Sequence, residues 1–303
     1  MKGDNILSKS KNNMTKRQHY VPKFYLHYYT DDNDKIYVFD CEKNRTFQSQ
    51  PKDICRMDYL YESEWENADS RLGKHILPNS IEKSYSRLES KAANVCNKII
   101  KRCNLYSHRI HGVCSRKEKE ILLNFIVNLV LRNPYTMEMN NIDDISDLDG
   151  NDEIDTYIRL LDGMGWHGGE SFIRAASKWC NLNVESKYSL QRLFFDEIKD
   201  LNYVFLKSDK PLFIASDFPV VLGTDHSIED NNKIMMGFPV SPHIYMLIGN
   251  YEHLKKYCNY LIPVEESVVM KIVKNYIESN QSKCRFLMSN SSEIIEKIIK
   301  WRL

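Results

Sequence analysis

The sequence predicts an α+β fold, a helical core around one buried central helix with a small, mainly antiparallel sheet. Three observations predict it. The run from Lys117 to Arg132 is apolar nearly all round, through Leu122, Leu123, Phe125, Ile126, Val127, Leu129 and Val130, and a helix of that kind belongs inside a domain. Strand-like runs lie towards both ends of the chain with helices between them, a segregated order rather than the alternation of a parallel fold. With 303 residues, of which 42% are hydrophobic and 27% charged, the chain is long enough to bury a substantial core without metals or disulfides.

In chain order, residues 1–17 read as a flexible basic leader, because Lys2, Lys9, Lys11, Lys16 and Arg17 stand among Asn and Ser with little apolar surface to bury. Residues 18–303 read as a single domain. Pro22, whose fixed φ suits a first helical position, opens a short helix through Phe24, Tyr25 and Tyr28. The turn from Asp31 to Asp34 leads into a strand over 35–40, and 45–48 return as its hairpin partner. Ile81, Tyr85, Leu88, Ala92, Val95 and Ile99 fall at alternating steps of four and three, one face of a helix. The apolar helix that follows ends near Asn133, because Pro134 disfavours helical geometry in the residue before it. After an acidic segment from Asp143 to Asp155, helices are expected near 170–181 and 187–199. Strands near 203–207 and 212–215, a second short strand after the turn Ser216-Asp217-Phe218-Pro219, strands near 234–240 and 244–248, a helix near 265–277, a strand near 284–288 and a helix near 291–300 complete the chain.

Composition narrows the function. Lys plus Arg total 42 against 41 for Asp plus Glu, a formal charge of +1, so no global field gathers nucleic acid and any such contact needs a local basic patch. No apolar run approaches the roughly 20 residues that cross a bilayer, so no membrane partner is expected. The polar N-terminus lacks the apolar segment of a secretory signal, which points to the cytoplasm, where the eight cysteines read as reduced thiols. Neither a Gly-x-Gly-x-x-Gly loop nor a Walker pattern occurs, so no nucleotide cofactor is assigned.

Chemistry has few places to sit. Asn124, Asn128 and Arg132 are spaced by four and line one face of the apolar helix; they form either a satisfied structural network or a pocket wall, with Arg132 available to clamp a phosphate or carboxylate through its planar fork. Glu82 and Glu89, seven residues apart, flank the stripe of the preceding helix and either face solvent or reach a shared site. In Ser216-Asp217-Phe218-Pro219 the carboxylate either caps its own turn or stands as an acid at a strand end. His19, beside Gln18 and Tyr20, has a side chain suited to proton transfer near neutral pH. Cys103, His108, His111 and Cys114 have zinc-competent side chains, but their spacing matches no standard finger and reads as chance clustering. The acidic segment imitates a calcium loop, yet Asp152 replaces the required glycine and Ile158 the final glutamate.

Gln18-His19-Tyr20-Val21-Pro22, followed by an aromatic-rich helix and a short β element, resembles the opening of a bacterial family catalogued as domain of unknown function 4238. Leu131-Arg132-Asn133-Pro134 resembles its Arg-x-Pro helix end, Ser216-Asp217-Phe218-Pro219 its Ser-Asp-x-Pro turn, and Phe238-Pro239-Val240-Ser241-Pro242 its Pro-x-Ser-Pro strand. Glu89 is similar to a glutamate in one of its helices. The resemblance implies a common fold over about residues 16–290 and brings no activity. It does mark His19, Glu89, Arg132 and Asp217 as one constellation from separate elements.

Two functions fit that constellation. One is a phosphodiester-cleaving, nuclease-type effector in defence or toxin systems: His19 as general base or acid, Arg132 on the phosphate, and Glu89 with Asp217 binding magnesium or manganese or orienting His19. Lys16 and Arg17 would supply a local attraction for nucleic acid. The other is a binding or sensing module for a small anion or a partner, with Arg132, Gln18, Asn128 and Ser216 as ligand-binding groups.

Overall fold

A computed structural model of the protein describes residues 14–65, 74–140, 155–156, 158–160, 169–187, 189–224 and 234–302. The opening motif forms strand β1 (Arg17–His19), then helix α1 (Lys23–Leu26), which tightens into a 3-10 turn at His27–Tyr29. A hairpin of β2 (Ile36–Asp40) and β3 (Arg45–Ser49) follows, then β4 (Arg56–Asp58), β5 (Ser63–Glu64) and β6 (His75–Ile76). The helical middle consists of α2 (Ser80–Asn104), the short β7 (Ile110–His111), α3 (Arg116–Leu131), α4 (Pro134–Met139), α5 (Gly169–Leu182) and α6 (Leu190–Ile198). The last third holds β8 (Asn202–Lys207), β9 (Ala215–Ser216), β10 (Val221–Thr224), β11 (Ile234–Ser241), β12 (Ile244–Gly249), α7 (Glu252–Lys256), β13 (Tyr260–Pro263), α8 (Glu266–Ser279), β14 (Phe286–Ser289) and α9 (Ser292–Arg302). The fold is α+β.

Instead of one small sheet, the strands make a six-stranded sheet in the order β10-β11-β12-β8-β13-β7 and a four-stranded sheet in the order β3-β2-β14-β9. Two-stranded ribbons join β1 to β4 and β5 to β6. Pairing is antiparallel except between β13 and β8, which run parallel. The sequence reading of a short strand after the Ser216–Pro219 turn corresponds to β10, whereas β13, with only four residues, carries too little periodicity to be read. Sequence periodicity over-extended one strand: Leu212, Phe213 and Ile214 are buried, but only Ala215 and Ser216 pair with β14.

The leader boundary also shifts. Arg17 pairs with Asp58 in the ribbon, and the amide of Tyr59 donates to the carbonyl of Lys16 at 2.8 Å; residues 1–13 lie outside the described residues, as does the acidic segment apart from Asp155.

Helix α3 begins with a capping box: Ser115 accepts from the Glu118 amide, and Glu118 accepts from the Ser115 amide. Arg102 near the end of α2 meets the same Glu118 carboxylate at 2.7 and 3.0 Å, so one side chain ties two helices together. At the far end, Pro134 ends α3 and starts α4, where Asn133 is the cap and accepts from the Tyr135 amide at 3.0 Å. Leu122, Leu123, Phe125 and Ile126 of α3 are fully buried. The aromatic opening docks on the larger sheet: Tyr25 and Tyr29 both donate to the carbonyl of Pro239, at 2.8 and 2.9 Å.

Candidate functional site

Arg132 closes α3 as its C-cap and is fully buried. A guanidinium in such a place must find partners for its donors. Its Nε donates to Tyr61 Oη at 3.1 Å, and one terminal nitrogen donates to Glu89 Oε1 at 2.6 Å and, more weakly, to Asn128 Oδ1 at 3.4 Å. The other terminal nitrogen donates to the backbone carbonyl of His19. The guanidinium also lies over the Tyr85 ring at 4.5 Å and the Tyr61 ring at 5.7 Å. Burial pulls its pKa down, but Tyr61, Glu89 and Tyr85 more than offset this and keep it charged. Arg132 therefore holds protein groups, and the expected phosphate clamp is corrected: its fork is directed into the fold.

Gln18 is fully buried and equally committed: its Nε2 donates to Glu62 Oε1 at 2.6 Å and its Oε1 accepts from the Tyr61 amide at 2.8 Å. Glu62 in turn accepts from the Asn79 amide. Gln18 is thus committed on both sides of its amide, whereas Asn128 meets Arg132 through Oδ1 and keeps an enclosed Nδ2 without a hydrogen-bond partner among the described residues.

Four enclosed polar atoms around Arg132 lack a partner among the described residues, His19 Nε2, Glu82 Oε2, Tyr85 Oη and Asn128 Nδ2, and His19 and Glu82 are the two on groups that titrate in the acid-to-neutral range. His19 is half-buried, with Nε2 enclosed and lacking a hydrogen-bond partner. Burial first, then Lys23 and Arg132, push its pKa down to about 4, against a partial pull upward from the Pro51 and Lys52 carbonyls. It is neutral at physiological pH, so it can accept or donate a hydrogen bond but is a weak base. Glu82 moves the other way. Burial and the neighbouring carboxylates Glu89 and Glu62 raise its pKa to about 7, against the opposing pull of Arg132 and Lys23, and its Oε2 is enclosed without a partner. Glu82 is the group matched to proton transfer at neutral pH. The sequence offered a signal for it in the Glu82/Glu89 spacing, but the family resemblance favoured Glu89, which is half-buried and bound to Arg132.

Around His19 cations outnumber carboxylates: Arg56, directly opposite it in the β1–β4 register, lies 3.9 Å from Asp53, Lys16 pairs with Asp58 at 3.4 Å, and Lys23 and Arg17 are exposed.

Asp217 sits elsewhere. It is 7% exposed and accepts from the Arg285 and Phe286 amides, both at 3.0 Å to Oδ1. Burial raises its pKa to about 7, opposed by those two amides and the Arg285 charge. It lines a cavity of about 400 Å³ with Tyr20, Asn133, Tyr135, Lys283 and Arg285. Asn133 Nδ2 donates to the Asp217 carbonyl at 2.6 Å. Consecutive residues therefore face two centres: His19 and Arg132 one, Tyr20 and Asn133 the other. Glu89 and Asp217 have separate surroundings, so an ion held between them does not follow from this geometry. Among the described residues, no group of three or more His, Cys, Asp or Glu side chains is arranged to hold a metal. Ser216 is fully buried and closes its turn, bonding to the Phe218 carbonyl and to Tyr276 Oη, each at 2.7 Å; it is structural rather than ligand-binding.

All eight cysteines are free thiols. Burial pushes Cys103 and Cys114 up to about 12, while the His111 ring packs on Tyr260 at 4.8 Å and His108 is exposed. Among the described residues no helix is long and apolar enough to cross a membrane.

No curated protein and no solved structure matches the chain. The model of the family described as "Protein of unknown function (DUF4238)" matches residues 17–293, from β1 into α9 and through both centres, and the chain belongs to that family.

Proposed function

We propose that the protein is a phosphodiester hydrolase of the nuclease type, with Glu82 as its proton-transfer group. The observation that carries this reading is a carboxyl group held near pKa 7, with an enclosed, unpartnered oxygen, which shares Arg132 and Lys23 as charged neighbours with a neutral His19 whose Nε2 is also unpartnered. Perturbed carboxyl groups of this kind concentrate at catalytic sites. Ionised Glu82 takes a proton from a water molecule as its oxygen bonds to phosphorus; the P–O ester bond breaks, and the leaving oxygen takes a proton from solvent. His19 hydrogen-bonds the water or a phosphoryl oxygen. Lys23 and Arg56 draw the phosphate to the β1–β4 ribbon. Arg132 and Glu89 are positioning residues, since they fix the His19 carbonyl and the α2 face on which Glu82 stands.

The test is incubation of the full chain with single-stranded RNA, transfer RNA and DNA, with magnesium or manganese and with chelator. Cleavage is expected to rise with pH through about 7, and Glu82→Gln to lower turnover at least about a hundredfold, the scale of general acid–base catalysis, with folding retained. Absence of cleavage under every condition overturns the reading.

A further inference from the structure

The cavity at Asp217 is not used by the hydrolytic site, yet it is built for a ligand. Its volume of about 400 Å³ falls within the range of small-molecule pockets. In its lining, Asp217 uses Oδ1 for two backbone amides, while Oδ2 has a 3.3 Å approach from the Arg285 amide. A carboxylate oxygen in that position retains acceptor capacity. On the wall, the half-buried Tyr135 stands edge-on to Phe218, with centroids 6.2 Å apart. The Lys283 ammonium lies 5.6 Å from the Phe218 ring centroid, and among the described residues no carboxylate comes within ion-pairing distance of it. Arg285, in contrast, is neutralised by Asp40 at 3.0 Å and Glu42 at 3.2 Å.

The cavity lining thus combines an acceptor, an aromatic ring and one cation without a carboxylate partner among the described residues. A complementary ligand carries N–H donors at one end, a planar body, and negative charge at the other. We propose that the Asp217 cavity binds a nucleoside monophosphate whose base has an N–H donor edge, as guanine has. The base donates to Asp217 Oδ2, its plane lies against Tyr135, and the phosphate meets Lys283. The exposed Gln281 and Ser282 also line the cavity and can donate to the sugar or phosphate. This site is independent of Glu82, so it stands or falls separately from the hydrolase reading.

The experiment is calorimetric titration and thermal denaturation of the full chain with GMP, guanosine and inorganic phosphate. GMP is expected to bind and raise the melting temperature, guanosine to bind at least about fivefold more weakly, and phosphate alone to give no shift. Asp217→Asn keeps an oxygen for the two amides but replaces the acceptor at Oδ2 with a donor, and it is expected to weaken GMP at least about tenfold. Lys283→Met, at a half-buried position, is expected to abolish the difference between GMP and guanosine while leaving the melting temperature of the free protein unchanged. Glu82→Gln is expected to bind GMP as the parent does. No GMP binding, or GMP binding unchanged in both cavity variants, overturns the proposal.

Discussion

Arg132 illustrates how a buried charge reads differently in sequence and in space. Its presence on an otherwise apolar helix marks it as special, but its partners Glu89 and Tyr61 lie 43 and 71 residues away and only folding brings them to it. Removing Arg132 leaves the half-buried Glu89 without its partner and the His19 carbonyl without its donor, a loss of about 3 kcal/mol, the lower end of the range for broken buried pairs. Arg132→Met is expected to destabilise the protein on that scale in urea unfolding. Arg132→Lys should recover only a fraction, because an ammonium cannot serve Tyr61, Glu89 and the His19 carbonyl from one plane. Glu82 gives a prediction of the opposite sign. Its folded pKa, about 7, lies above its ordinary value of 4.5, so its contribution to stability is fully present below about pH 4.5 and is lost as pH rises through 7. Glu82→Gln removes that loss, and the variant should exceed the parent by about 3 kcal/mol at pH 8 while matching it at pH 4.

At the scale of elements, joints matter more than propensities. The Ser115–Glu118 box with Arg102 fastens α2 to α3. Ser115→Ala is expected to cost about 1 kcal/mol, measured as a shift in urea midpoint with unchanged slope. The larger sheet has a tighter constraint at Gly237 on β11, where an added Cβ would collide with the Tyr245 ring and hydroxyl. Tyr245 is itself buried and cannot swing into solvent, so Gly237→Ala should cost about 1–3 kcal/mol, the range for overpacking. The β2–β3 hairpin and helices α2 and α3 were legible to within a few residues because their periodicity is long or their turn is explicit. Leu212 to Ile214 were misread as a strand because burial alone produces an apolar run, whether or not a ladder forms.

For the whole molecule, pH couples the two centres to stability. Asp217, like Glu82, has a folded pKa raised to about 7, with Arg285, Tyr20 and Cys55 as the ionisable groups around it. His19 acts in the other direction: its folded pKa of about 4 lies below its unfolded value, so its contribution is present above pH 6.5 and is lost as pH falls through 4. Two carboxyl groups oppose one imidazole, and above pH 6.5 only the carboxyl groups still change. The stability of the parent should therefore fall between pH 6.5 and 8 in denaturant titrations, and the double variant Glu82→Gln/Asp217→Asn should flatten that slope.

The sequence by itself determined the family, the α+β class, the main helices and the unusual residues of the opening motif and of the α3 end. These are local signals, carried by spacing and by short motifs within a few turns of chain. Tertiary structure decided that Arg132 faces inward and binds Glu89, that Gln18 and Ser216 are structural, that Glu82 is raised towards neutrality, and that Asp217 belongs to a second cavity. Each of those outcomes depends on which distant groups surround a side chain and how much water they exclude, and desolvation and long-range pairing are properties of the assembled fold.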